Sequence, residues 1–159
     1  MLPPLEELKT LLEQLLPGVS LSVEGSSLIV SPNDLTSVCR TLKESERFSL
    51  DYLSNLTAVD YPPDRIEVVY HLYSMAKRHG PLALKVKLPR ANPVVASVVP
   101  IWRGAEFQER EVYDLFGVTF EGHPDLRRIL MWEGFEGYPM RKDYQPEDQD
   151  VLEEGGPPR

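Results

Sequence analysis

A chain of 159 residues, 42% hydrophobic and 26% charged, has the composition of a soluble globular protein and the length for one domain with a real core. Its formal net charge of -8 at pH 7 argues against nonspecific binding to DNA or RNA, whose phosphates repel it. No apolar run reaches the length of a membrane span, and the opening MLPPLEELKT lacks the basic and apolar regions of a secretory signal.

The first predicted helix lies in residues 3–16, where Leu5, Leu8, Leu12 and Leu15 form one stripe. Pro17-Gly18 ends it. VSLSV (19–23) and SLIVS (27–31) alternate around Glu-Gly-Ser and predict a hairpin. Ser31-Pro32-Asn33-Asp34 then supplies an N-cap, a first-turn proline and an acid. The helix it opens turns Leu35, Val38, Cys39 and Leu42 inward, making Cys39 an inert core thiol.

FSLDY (48–52) predicts a strand, but the alternation fails after Leu53 and leaves 54–60 unassigned. RIEVVYHLYS (65–74) places Ile66, Val68, Tyr70 and Leu72 on one face. LALKVKL (82–88) places Leu82, Leu84, Val86 and Leu88 on one face and Ala83, Lys85 and Lys87 on the other. The predicted fold class is α+β, a mostly antiparallel sheet with helices on one face and an extended C-terminal segment. Residues 1–144 form one domain, and the acidic 145–159 a tail that is flexible or ordered only by a partner.

The single cysteine cannot make an internal disulfide, which suits a reducing cytoplasm. It also cannot hold an iron–sulfur cluster, which takes about four thiolates. Cys39, His71, His79 and His123 are too scattered for a zinc site. There is no dinucleotide fingerprint, P-loop or nucleophile elbow. The expectation is a chain without cofactor, metal or catalytic residues of its own.

The densest chemistry lies in EREVYDLFGVTFEGHPDLRRIL (109–130). A helix from Pro100 to Phe116, stopped by Gly117, groups Val98, Trp102, Ala105, Val112, Tyr113 and Phe116 on one face, with Glu109 in its middle. Arg103, Arg110, Glu111 and Asp114 fall opposite, and Glu106-Arg110-Asp114 has the spacing of a solvated ion-pair ladder. A buried Glu109 must meet a cation or hydrogen-bond donors. Arg127, Arg128, Arg141 and Lys142 are the nearest basic candidates, and a structural anchor is favoured over a catalytic carboxylate. Glu121-Gly122-His123-Pro124 is echoed by Glu136-Gly137-Tyr138-Pro139, each followed by a basic pair. Glycine and proline there predict two bends in a long segment that wraps a surface.

EREVYDLFGVTFEGHPDLRRILM, followed by GYPMRKDY, closely resembles the signature of the C-type subunit of bacterial proton-pumping NADH:quinone oxidoreductase, the counterpart of the 30-kDa subunit of mitochondrial respiratory complex I. PRANPVVASVVPIWRGAEF resembles that family's approach to the motif, so the match covers about residues 89–144. Glu109, Arg110, Glu111, Tyr113, Asp114, Gly117, Gly122, His123, Pro124, Leu126, Arg127 and Arg128 match it position by position, with Arg141, Lys142, Asp143 and Tyr144 in the second block. The resemblance implies a structural and interface role for them, not a catalytic one.

The resemblance further implies a component of the hydrophilic arm, peripheral on the cytoplasmic face of the bacterial plasma membrane. It would pack against the D-type quinone-site subunit, close to the B-type subunit that holds the terminal cluster. FMN, iron–sulfur clusters and quinone would belong to partner subunits, in a complex that couples electron transfer from NADH to quinone to proton translocation. The equivalent subunit of a related hydrogenase or other quinone-reducing complex is the alternative. A small acid/base enzyme is a third, and it requires Glu109 and His123 in one pocket within roughly 7 Å.

Overall fold

The computed structural model describes residues 1–146; most of the stretch expected as a tail, 147–159, lies outside the described residues. The first helix, α1 (Leu5–Leu15), buries Leu8 and Leu12 completely, while Leu15 stays 54% exposed and so leaves the predicted stripe. Strands β1 (Leu21–Glu24) and β2 (Ser27–Val30) form the expected hairpin, with Glu24 opposite Ser27. Pro32–Asp34 make one 3-10 turn before α2 (Leu35–Glu44). Ser31 makes no side-chain cap there; instead the Asp34 carboxylate accepts the Ser20 amide at 2.8 Å, tying the hairpin to the helix.

The long strands are β3 (Tyr52–Tyr61), β4 (Arg65–Ser74) and β5 (His79–Pro89), antiparallel in sequence. The first of them begins where the sequence expectation ended. In 48–51 Phe48 and Leu50 are both buried, but Ser49 takes φ 48°, so the alternating burial there belongs to a loop. Beyond Leu53 the register with β4 shifts at a bulge around Ser54, which moves the inward phase onto Leu56, Ala58 and Asp60. That bulge is why the alternation fails after Leu53.

The sheet order is β1-β2-β5-β4-β3, antiparallel except for the parallel β2–β5 pair. Ile66, Val68, Tyr70 and Leu72 of β4 and Leu82, Leu84, Val86 and Leu88 of β5 enter one core with Leu8, Leu12, Val38 and Leu42 of the helices. Cys39 is buried in that core, and desolvation pushes its thiol far above the usual range. On the other face, Glu67 is flanked by Arg65 at 2.9 Å and Lys85 at 3.7 Å.

A second, parallel pair, β6 (Val94–Ala96) with β7 (Thr119–Glu121), brackets α3 (Ala105–Phe116) in the chain. This helix lies along β3, the edge strand of the large sheet, and Gln108 Oε1 accepts the Leu56 amide at 2.6 Å. From Gly122 to Pro146 the chain has no helix or strand, as the extended C-terminal segment requires.

Candidate functional site

Helix α3 starts at Ala105 rather than Pro100. Ile101 and Trp102 donate to the Val98 carbonyl at 2.9 and 2.8 Å, and the Trp102 indole donates to Leu50 O at 3.1 Å. Those turns anchor the start of the helix against the sheet layer. Its end is Gly117, at φ 75°, whose amide donates to Tyr113 O. A Cβ at Gly117 would sit 2.7 Å from the Tyr138 ring, so glycine is required both for the backbone and for the aromatic packed on it.

Glu109 is fully buried, as the helical pattern demanded, but its partners are not the downstream cations. Ser97 Oγ donates to one carboxylate oxygen at 2.6 Å and the Val98 amide to the other at 2.7 Å. His123 Nε2 lies 4.0 Å away. Desolvation raises the Glu109 pKa, and the Ser97 and Val98 hydrogen bonds and His123 oppose that rise without cancelling it. The carboxylate thus anchors the 97–98 corner to α3.

The proximity of Glu109 and His123 meets the distance set for an acid/base pair, yet both side chains have zero exposure. His123 Nδ1 accepts the Asp125 amide at 2.9 Å, and Nε2 is 2.9 Å from the Glu106 carbonyl. Both ring nitrogens are thus taken up by the chain's own backbone. The distance that the acid/base alternative required is therefore met, at a place where neither side chain faces solvent.

The predicted ladder is also corrected. Arg110 and Asp114 are buried, 7% and 0% exposed, not solvated. Both reach across to a later part of the chain. Arg110 Nε donates to Arg127 O at 3.1 Å and its Nη2 to Arg128 O at 3.4 Å. Asp114 Oδ2 accepts three successive amides, Ile129, Leu130 and Met131, at 3.1, 2.6 and 2.9 Å. One helical turn therefore grips residues 127–131 by carbonyls on one side and amides on the other. The i,i+4 spacing is real, but it measures the distance between two grips rather than an ion pair.

Arg128 closes this arrangement from the opposite direction. Its Nε lies 2.9 Å from Asp114 Oδ1 in an ion pair. Its terminal nitrogens donate to Asp114 O at 3.2 Å and to the Phe135 and Gly137 carbonyls. The guanidinium also stands over the Phe135 and Tyr138 rings, 5.3 and 5.5 Å from their centroids. Arg141 Nε donates to Phe116 O at 2.7 Å, with its guanidinium 4.9 Å over Tyr138. Arg128 and Arg141 are thus turned onto the chain's own carbonyls and rings. Arg127 does point outward, 71% exposed, with Asp125 at its Nε.

The second motif block is held from the sheet. Asp60 accepts Arg90 at 2.7 and 3.0 Å and the Lys142 amide at 2.8 Å, while Arg90 also donates to Asp143 at 2.6 Å. Arg90 hydrogen bonding holds both the Asp60 and Asp143 carboxyls below the usual range. Tyr144 lies against Phe135, with ring centroids 6.1 Å apart. Asp60 fell in the unassigned stretch and Arg90 outside the motif proper; their signal is an acid on an inward strand position, which a cation must answer. Of the remaining motif residues, Glu111, Gly122 and Pro124 are exposed, while Tyr113 and Leu126 pack against the core. Among the described residues no group of three or more His, Cys, Asp and Glu is arranged to hold a metal, and no helix is long and apolar enough to cross a membrane.

Residues 28–150 match the family model described as respiratory-chain NADH dehydrogenase, 30 Kd subunit. A C-type subunit of NADH-quinone oxidoreductase from Rhizobium meliloti is 48% identical over 117 residues, covering 72% of this chain and 63% of that protein. The chain thus spans less than two thirds of that relative. The C-type subunit from Moorella thermoacetica is 44% identical over 137 residues, covering 84% of this chain and 90% of that protein. Among solved structures, a chain of the membrane-bound sulfane sulfur reductase, an archaeal respiratory membrane complex, superposes with TM-score 0.70 at 27% identity, covering 92% of this chain and 88% of its own length. A trypsin-resistant fragment of Nqo5 superposes with TM-score 0.57 at 29% identity, covering 78% of this chain and all of the fragment. With the family model spanning residues 28–150 and the motif folded as described, the chain belongs to the 30-kDa subunit family of respiratory-chain NADH dehydrogenase.

Proposed function

We propose that the chain is a cofactor-free scaffold subunit of the hydrophilic arm of an NADH:quinone oxidoreductase, supporting the quinone-reducing module. One observation carries this reading. The motif's buried charges, Glu109, Arg110, Asp114 and most of Arg128, bind the chain's own backbone, so they shape a surface instead of meeting a substrate. In this reading the complex is the enzyme and the isolated chain has no turnover. FMN, iron–sulfur clusters and quinone reside in partner subunits. The D-type quinone-site subunit and the B-type terminal-cluster subunit are the chief partners, on the cytoplasmic face of the membrane, in a complex coupling electron transfer to proton translocation.

The superposition on the sulfane sulfur reductase chain supports a second reading, the equivalent subunit of a related membrane complex. The relatives at 44–48% identity bear the NADH-quinone oxidoreductase name and favour the first. Affinity purification of the tagged chain from membranes in mild detergent tests both. Co-purification with a flavin- and cluster-bearing NADH-oxidising assembly is expected. A hydrogenase-type set of partners would select the second reading, and a clean monomer under every mild extraction would overturn both.

A further inference from the structure

The turn from β4 into β5, MAKRHG (75–80), is basic in a chain of net charge -8. Two cavities flank it and share Arg78, His79 and Gly80. One, of about 270 Å³, is walled by Tyr73 and Met75; the other, of about 450 Å³, by Leu2 and Pro81. No Asp or Glu lines either cavity. Gly80, on both linings, has φ 132°, and a Cβ there would stand 2.7 Å from the Tyr73 ring and 2.9 Å from Leu72 O. The aromatic wall thus rests directly on the backbone of the turn.

The turn is fixed by its own neighbours. Asp51 accepts the Met75 and Ala76 amides at 2.7 and 3.4 Å, so that carboxylate is occupied by backbone. Lys77 donates to the Glu46 and Arg47 carbonyls. Arg78 differs: it is exposed, takes φ 54°, and among the described residues has no carboxylate partner, unlike Arg65, Arg90, Arg127 and Arg128. A side chain held on that left-handed backbone marks ligand clamps as well as tight turns. Beside it, His79 Nδ1 is buried without a hydrogen-bond partner among the described residues. Burial, and then neighbouring positive charge that includes Lys77, hold the His79 pKa below its ordinary value. The field at the turn is therefore positive where the chain as a whole is negative.

We propose that the cavities about Arg78 form a binding site for a small organic anion, a carboxylate on a short apolar body. The carboxylate meets the Arg78 guanidinium, whose planar fork matches two oxygens. The apolar body lies against the Tyr73 ring and Met75. Together the two cavities have the size of small-ligand clefts, about 300–1,000 Å³. A phosphate would bring a second charge that one guanidinium does not answer, since His79 is held toward its neutral form. A polyanion such as nucleic acid would be repelled by the rest of the chain. The site lies outside the motif and does not depend on the reading of the chain as a subunit.

The test uses the purified full-length chain, isotope-labelled for amide NMR, with octanoate as the probe. Octanoate is expected to shift the amides of Tyr73, Met75, Arg78 and Gly80 and to saturate at about millimolar concentration, the range for a ligand of so few atoms. Octanol, equally long but uncharged, and acetate, charged but short, are expected to bind about tenfold or more weakly. Arg78→Asn removes the guanidinium while asparagine accepts the left-handed backbone. That variant is expected to melt with the wild type and to bind octanoate about tenfold or more weakly. Arg40→Gln, at another exposed cation, is expected to bind as the wild type does. No shift with octanoate, shifts confined to other parts of the chain, or undiminished binding by Arg78→Asn would each overturn the site. Octanol binding as tightly as octanoate would leave a merely apolar cleft, and inorganic phosphate moving the same amides at lower concentration would make it a phosphate site. Either result overturns the carboxylate assignment.

Discussion

The sheet body and the C-terminal wrap reach order by different means. In the body, β4 and β5 each turn four successive inward positions into one core with α1 and α2, and the loss of any one contact is shared among many neighbours. In the wrap, residues 122–146 have no helix or strand, and their course depends on a few polar side chains of α3 and β3. Asp114 alone takes three amides, and Asp60 alone joins Arg90 to Lys142. Apolar order is distributed and degrades gradually; polar order is concentrated and fails at single atoms.

The largest effect that separates the two regions is expected from Asp114→Ala. Removing the acid orphans three amides and leaves part of Arg128 without its counter-charge, a change that costs about 3–5 kcal/mol at a buried pair. The loss should be local. Hydrogen exchange at Ile129, Leu130 and Met131 accelerates by orders of magnitude while β4 and β5 amides keep their protection. Equal acceleration in both regions would show that the wrap and the body unfold as one unit.

Leu84→Ala, at a fully buried position, should cost about 2–5 kcal/mol. Here the loss is global: the denaturant midpoint falls for probes in the body and in the wrap alike. A wrap that opened at unchanged midpoint, with the body alone shifted, would mean that its polar grips hold without the core beneath.

The smallest of the three concerns pH. The folded-state pKa of Asp60 is depressed, chiefly by Arg90, so its contribution is present above the ordinary Asp range and lost as pH falls through the depressed value. Glu109 has the opposite sign. Its raised pKa makes the ionised form costly, so its stability contribution is full below the unfolded value and is lost as pH rises through the folded one. Asp60→Asn should therefore destabilise by about 1.5–3 kcal/mol near neutrality and progressively less in acid, as urea midpoints measured across that range would show. A deficit that grew toward low pH would contradict the sign.

The same contrast explains what could be read from residues alone. The inward faces of 65–74 and 82–88 are legible because alternation along a strand is a local property. The start of β3 is hidden by the bulge at Ser54 and by a loop in which Phe48 and Leu50 imitate alternation. In the motif, burial of Glu109 follows from helical phase, but its partners do not, since Ser97 and Val98 come from a corner that only the fold brings near. Arg110 and Asp114 look like partners of each other at four-residue spacing; that they serve a segment 15 to 18 residues on is a tertiary fact. Glycine at 117 is legible as a helix stop, but not as the floor under Tyr138.

One small contact reaches beyond the fold itself. Strand β3 is ten residues long and lies at the edge of its sheet, the kind of element that recruits a strand from another molecule. Gln108 occupies its Leu56 amide, and α3 runs beside the strand. A glutamine that fills one rung of the open ladder leaves one amide fewer for a strand of another molecule to pair with.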